Sequence, residues 1–373
     1  MFNQILNLGK LRGSVSPLPG NPKGVDFRSN DILGLANSQE LYDKITDRYG
    51  VLSGMYGPTQ GASGSRINSK NAEFLNILED KIAHIHGYPT SLICHCGYMA
   101  NQSLCFLSVS EKDVLLFDED VHISLKSGVL FGKGKHGFFS HNDLGHLEEQ
   151  LIKFRPDGRN IFIGVSSVYS QDGSLAPLEE LIALSQKYDA KLIVDEAHAI
   201  GVFGNGLGFT QNLCDKIFGV VVTFGKALGT FGAAVLGGAE LKEYLIHFSY
   251  PSRFSTAFPL YNLVAVDCAY DLMLQADRQR DYLLVLRRHF LDLFAFSSPG
   301  ILQSLNMGTI DTAIAFVNFC FERGFLVNPV ASPQVFSKQG RVRVTLHAFN
   351  TKDEIDKLHK LYDEFLKKIL RQM

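Results

Sequence analysis

Between about Ala72 and Leu236 the chain alternates two periodicities, short β-branched runs and amphipathic helical stretches, and few architectures accommodate that rhythm. A strand, a helix and another strand make a βαβ unit, so the repeated alternation predicts a parallel sheet covered by helices. Residues 91–94, 113–118, 161–166, 191–195 and 218–223 read as strands. Helices are expected over 71–85, where Phe74, Leu75, Leu78 and Ile82 recur at helical spacing, and over 178–188, opened by Pro177. After about His247 the rhythm changes: long helical stretches over 260–294 lead to an alternating strand over 341–346. A final helix starts at Thr351, with Asp353 and Glu354 in its first turn. The expected organisation is an N-terminal arm (1–40, with an ordered glycine- and proline-bearing stretch at 13–24), a large α/β domain (41–247) and a smaller C-terminal α+β domain (248–373). A chain of 373 residues, 46% hydrophobic, has apolar mass enough for both cores.

Thirty-six basic against 38 acidic residues leave a net charge of −2, with no basic run suited to a phosphate backbone, so nucleic acid is not an expected partner. The opening residues lack the cationic start and long apolar stretch of a signal peptide, and runs such as 217–223 fall far short of the ~20 residues that cross a bilayer. A soluble, cytoplasmic protein is expected, its six cysteines reduced. The sequence Cys94-His-Cys96 has neither the spacing nor the second ligand pair of a structural zinc site, and no metal is expected.

The most informative stretch is Val194-Asp-Glu-Ala-His198, because Asp195 ends an all-apolar strand where α/β sheets place their ligands, and His198 follows three residues on. A second strand ends in Val221-Val-Thr-Phe-Gly-Lys226. Asp195 has a blander reading as a turn cap, and a lysine beyond a strand tip, seen alone, is usually solvated; on neighbouring strand tips, the three side chains match the needs of pyridoxal phosphate chemistry. A neutral lysine amine forms a Schiff base with the aldehyde, and an ionised aspartate holds the pyridine nitrogen protonated as an electron sink. The turn Cys96-Gly-Tyr-Met-Ala-Asn101 follows a strand and opens a helix, so the amides of Gly97 and Tyr98 can hold a phosphate, with the Thr223 hydroxyl beside them. His122, after another strand, is placed to lay its imidazole on the ring.

From about residue 27 to the C-terminus the chain resembles the α-oxoamine synthases, fold-type I pyridoxal phosphate enzymes. The resemblance is carried by nine ordered motifs. They are Ser29-Asn-Asp-Ile-Leu-Gly-Leu35, Gly61-Ala-Ser-Gly-Ser-Arg66, the 96–101 turn, Ser140-His-Asn-Asp143, Val168-Tyr-Ser-Gln-Asp-Gly173, 194–198, 223–226, Ser255-Thr-Ala257 and Arg341-Val-Arg343. It implies a three-layer αβα large domain with a mostly parallel sheet and a homodimer with shared active sites. It further implies that Lys226 is the Schiff-base lysine and moves the substrate's α-proton, and that Asp195 pairs the ring nitrogen. His198 and Ser170 are implied at the phenolic oxygen, His122 on the ring face and at the developing oxyanion, and Gly97, Tyr98 and Thr223 at the phosphate with Thr256 of a second subunit. Asn30 and Arg343 are implied at the amino-acid carboxylate. The implied reaction condenses a small amino acid, L-alanine favoured, with an acyl thioester, pimeloyl-CoA or a pimeloyl carrier protein favoured, releasing CO₂ and a free thiol, as in biotin biosynthesis. Glycine C-acetyltransferase, a serine palmitoyltransferase-like synthase, an aminotransferase and a non-catalytic interaction protein are the alternatives. Four departures from the family pattern, Ser166 for glutamate, Lys70 for glycine, and Leu75 and Asn350 for histidines, bear on the acyl substrate.

Overall fold

The computed structural model describes residues 23–57, 60–107, 110–130, 133–155, 160–294, 298–330 and 340–371; most of the expected N-terminal arm lies outside them. In chain order the strands are β1 (Val25–Asp26), β2 (Thr90–Cys94), β3 (Val114–Asp118), β4 (Lys135–Phe139), β5 (Ile161–Ser166) and β6 (Lys191–Asp195). They continue with β7 (Gly219–Thr223), β8 (Ala233–Gly237), β9 (Leu302–Gly308), β10 (Phe325–Leu326), β11 (Asn328–Val330) and β12 (Gly340–Thr345). The helices that matter below are α1 (Gln39–Tyr56), α2 (Ala72–His86), α3 (Gly97–Cys105), α4 (Ile123–Gly128), α5 (Leu144–Phe154), α6 (Leu178–Lys187), α7 (Ala239–Phe248) and, last in the chain, α8 (Lys352–Leu370).

The described residues fall into two compact units. The larger comprises 33–169 and 175–277; the smaller comprises 170–174 and 278–371 together with the described residues up to 32. The division therefore falls after Asp277 rather than after 247, and the helix Leu260–Leu274 belongs with the large sheet.

In the larger unit seven strands run in the order β2-β8-β7-β6-β5-β3-β4. The pairs among β4, β3, β5, β6 and β7 are parallel, while β8 is antiparallel to both β7 and β2. Side chains alternate across a strand. Leu115, Phe117, Ile193, Val221 and Val235 pack on one face with Ala100, Leu104, Leu241 and Leu245 of α3 and α7. The intervening Leu116, Leu192, Val194, Val222 and Leu236 are equally buried, so the sheet is covered on both faces, as a mostly parallel sheet requires. This is the doubly covered α/β sheet that the alternation predicts. No described helix is long and apolar enough to cross a membrane.

The smaller unit holds an antiparallel sheet in the order β11-β12-β9 and the short parallel pair β1-β10. Val342 and Val344 of β12 are buried, whereas Arg341 and Arg343 project from the opposite face. Helix α8 starts in a reciprocal cap: the Thr351 side chain accepts from the Glu354 amide and the Glu354 carboxylate accepts from the Thr351 amide.

Candidate active site

β6 is buried from Leu192 onward and delivers Asp195 to its C-terminal tip, between Ser166 of β5 and Val221 of β7. The chain then turns at once, because the Glu196 amide donates to the Val221 carbonyl at 2.8 Å and the Ala199 amide to the Glu196 carbonyl at 2.9 Å. That turn carries His198 inward, where it is 5% exposed. On the neighbouring strand, β7 ends at Thr223 and Lys226 stands in the tight turn that follows, with the Gly229 amide donating to its carbonyl. Gly229 has φ +63°, and a Cβ there would lie 2.2 Å from the Ala36 amide nitrogen, so only glycine closes the turn this way. Lys226 Nζ is 2.8 Å from His198 Nε2. The aspartate, histidine and lysine that the strand pattern singles out thus stand on adjacent strand ends.

Asp195 is held at both oxygens. Oδ1 accepts from the Ala197 amide at 2.9 Å, and Oδ2 accepts from Asn101 Nδ2, on α3, at 2.7 Å. The start of α3 meets the tip of β7 closely: a Cβ on Gly97 would lie 2.6 Å from the Thr223 methyl. Its N-cap residue, Cys96, contributes no side-chain hydrogen bond, so the first amides of the helix, those of Gly97 and Tyr98, are presented rather than capped. Tyr98 donates or accepts at Ser127 Oγ, 2.7 Å away on α4, and its ring stands edge-on to that of His122, with centroids 6.4 Å apart. His122 caps α4 by accepting from the Ser124 amide through Nδ1. Burial pushes its pKa below the ordinary histidine value against the pull of Asp195, and Lys226 and Lys126 push the same way as burial.

Glu196, beside Asp195 in sequence, is fully buried; it accepts from Ser167 Oγ at 2.6 Å and from the Phe209 amide at 2.7 Å, and burial raises its pKa to about 7. The Ser140–Asp143 motif proves to be an anchor. His141 Nδ1 lies 3.1 Å from Asp118 Oδ1 at the tip of β3, the Asn142 amide donates to Asp118 Oδ2, and Asp143 caps α5. Arg66 of the 61–66 motif donates through both terminal nitrogens to Glu79, a buried carboxylate of α2 that also meets Lys242 at 2.9 Å. Thr256 stands opposite Ser65 in an isolated antiparallel bridge.

The remaining expected site residues collect in the smaller unit. Arg343 Nη1 donates to the Ser170 carbonyl at 3.2 Å and Nη2 approaches Asn30 Oδ1 at 3.5 Å. Ser170, expected at the cofactor's phenolic oxygen, is thus seen holding the arginine through its backbone. Arg341 instead pairs with Asp172 at 3.4 Å. Two residues of the larger unit escaped the sequence reading, Asn101 and Ser124. The one available signal for Asn101 is its position one helical turn beyond Gly97, on the same face of α3.

The sequence model of the aminotransferase class I and II family matches residues 22–360. A putative 8-amino-7-oxononanoate synthase of Desulfosudis oleivorans is 33% identical over 341 residues, covering 88% of this chain and 86% of its own. Among solved structures, the 8-amino-7-oxononanoate synthase of Francisella tularensis superposes with a TM-score of 0.78 at 25% identity, over 93% of this chain and 99% of that one. A serine palmitoyltransferase of Sphingomonas wittichii matches the fold with a TM-score of 0.86 at 20% identity, over 98% of this chain and 97% of that one.

Proposed function

The chain belongs to the α-oxoamine synthases, within the aminotransferase class I and II family, and from that premise we propose that it joins a small amino acid to an acyl thioester, forming an α-amino ketone, CO₂ and a free thiol. It is a pyridoxal phosphate enzyme. The residues present fit that cofactor: α3 offers uncapped amides against the Thr223 side chain for a phosphate, and a lysine amine and an anchored carboxylate occupy adjacent strand ends.

The cofactor, when bound, supplies an aldehyde for the amino group and a ring that takes up the electrons released at the α-carbon. The protein does the rest. Lys226 would hold the cofactor covalently and would take the α-proton on Nζ, which lies 2.8 Å from His198 Nε2 and is oriented by it. Asp195, fixed at both oxygens, keeps the proton on the ring nitrogen. His122 would cover the ring face and would aid the oxyanion that develops on the thioester carbonyl. Gly97, Tyr98 and Thr223 take the phosphate, and Thr256 of a second subunit in a homodimer completes its cradle. Arg343 takes the amino-acid carboxylate, with Asn30 and Ser170 setting its guanidinium.

The observation that carries this reading is the pairing of Lys226 and His198 beside Asp195. L-Alanine with a pimeloyl thioester is the favoured pair, on the likeness to the 8-amino-7-oxononanoate synthases. Among the departures, Ser166 stands directly opposite Asp195 in the sheet, so the glutamate that it replaces would have put a second carboxylate there. Asn350 closes the turn before α8, accepting from the His347 amide and donating to the Asp26 carbonyl. Lys70 is exposed and Leu75 is buried in α2. The test is free-thiol release from alanine, glycine and serine, each offered pimeloyl-, acetyl- and palmitoyl-CoA and a pimeloyl carrier protein. Release with alanine and a pimeloyl thioester above all other pairs supports the favoured substrates. Release only with another pair reassigns them, and no release with any pair refutes the reaction.

A further inference from the structure

Asp195 and His122 are joined by an unbroken polar chain that none of the roles above uses. Asn101 Nδ2 donates to Asp195 Oδ2 at 2.7 Å and to Ser124 Oγ at 2.9 Å, and Ser124 Oγ lies 2.7 Å from His122 Nδ1. The proton count along it has one solution. The side-chain amide must turn its nitrogen to Asp195, since its oxygen there would oppose a carboxylate, and the two hydrogens on that nitrogen serve Asp195 and Ser124. Ser124 Oγ therefore accepts from Asn101 and keeps its single proton available for His122 Nδ1. That ring nitrogen receives the Ser124 amide at 3.3 Å and is therefore an acceptor, so a proton on it would break the amide contact and the hydroxyl proton is directed to it instead. The neutral imidazole then bears its hydrogen on Nε2. Asn101 is 2% exposed and its Oδ1 is buried with no hydrogen-bond partner. An amide placed only for stability is not expected to leave its acceptor stranded, because an unsatisfied buried carbonyl is costly.

We propose that Asn101 and Ser124 are positioning residues, which hold Asp195 as an oriented carboxylate and His122 as its Nε2–H tautomer, so that the groups at the edge and on the face of the cofactor ring are set together. The inference rests on the reading of the site as a pyridoxal phosphate centre. Its consequence is that a change at Asn101 reaches the His122 ring, which it does not touch directly.

The experiment uses holoenzyme labelled with ¹⁵N-histidine, with the His122 resonances assigned by their loss in His122→Gln, alongside the rate at which pyridoxal phosphate leaves the protein in the presence of a trapping apo-enzyme. Wild type should show His122 Nδ1 unprotonated and Nε2 protonated. Ser124→Ala should move the ring to a mixture of tautomers and Ser124→Thr should restore it, and because both are near-isosteric they serve even where Asn101 variants fold poorly. Asn101→Leu should alter the same His122 signals and release the cofactor at least tenfold faster. A wild-type His122 protonated on Nδ1 would overturn the proposal, as would tautomers indifferent to Ser124→Ala or an Asn101→Leu holoenzyme unchanged in both readouts. A protein that takes up no pyridoxal phosphate at all would instead overturn the underlying reading of the site.

Discussion

Asp195 has both oxygens occupied by donors of its own chain, at 2.9 and 2.7 Å, so its carboxyl group is already oriented for the ring nitrogen proposed as its partner. Asp195→Asn keeps the shape and removes the charge. Cofactor affinity should change little while turnover falls by more than tenfold, that is by more than ~1.4 kcal/mol in the barrier, measured by steady-state kinetics beside equilibrium cofactor binding. Retention of over a tenth of wild-type turnover would remove the assigned role. The two arginines of β12 give a second contrast. Arg343 contacts Ser170 and Asn30 through separate nitrogens, and burial lowers its pKa, whereas Arg341 makes a single contact to Asp172 that a lysine can keep. Arg343→Lys should raise the KM for the amino acid at least tenfold and slow CO₂ release, with Arg341→Lys doing much less. Equal effects at both positions would mean that the wrong arginine has been chosen. Asp195 and Lys226 were legible because the first ends an apolar strand run and the second follows one by three residues. Asn101 and Ser124 were not, since a polar residue in a helical stretch carries no sign of which distant side chain it will meet.

At the scale of elements, five strands of the large sheet, β12 and the first turn of α8 follow closely from apolar runs, alternation and cap residues. Two strands do not. β4, Lys-His-Gly-Phe-Phe, is an edge strand with its first residues exposed, so it lacks the continuous apolar run of its buried neighbours. β8, Ala-Ala-Val-Leu-Gly, is buried but made of small residues, and its antiparallel direction is set by its connection to β7, which periodicity does not report. Glu79 is the element-scale tie that escaped notice. From α2 it receives both Arg66 nitrogens, the Ile93 amide of β2 and Lys242 of α7. Glu79→Ala leaves two cations without their buried partner and should destabilise the protein by ~3–5 kcal/mol in urea unfolding, with Glu79→Gln costing less. A loss below ~1 kcal/mol would show that the tie is not structural. Gly97→Ala tests the phosphate cradle. A methyl 2.6 Å from the Thr223 side chain must push the start of α3 away, so pyridoxal phosphate should bind at least tenfold more weakly while the melting temperature changes little. Unchanged affinity would place the phosphate elsewhere.

Over the whole molecule, the alternation of strand and helix conveys the doubly covered sheet, whereas the division between units was harder to see. The helix Leu260–Leu274 is apolar nearly all round, so its sequence resembles any buried helix and does not say which sheet it serves. One global property does follow from a single buried group. Glu196, with its pKa raised from 4.5 to about 7, binds its proton more tightly folded than unfolded. Its contribution to stability is therefore full below about pH 4.5 and is lost as pH rises through 7. Glu196→Gln should flatten the urea midpoint across that interval, and an unaltered pH dependence would assign the burial no such effect. The central claim, condensation with loss of the amino-acid carboxyl group, is tested most directly with L-alanine carrying ¹³C in its carboxyl group, supplied with pimeloyl-CoA or the acyl thioester chosen by thiol release. Labelled CO₂ should appear one-for-one with free thiol, only when the thioester is present, and the α-amino ketone should carry no label. Label retained in a keto acid, with the amino group passed on and no thiol released, would contradict the account and make the enzyme an aminotransferase.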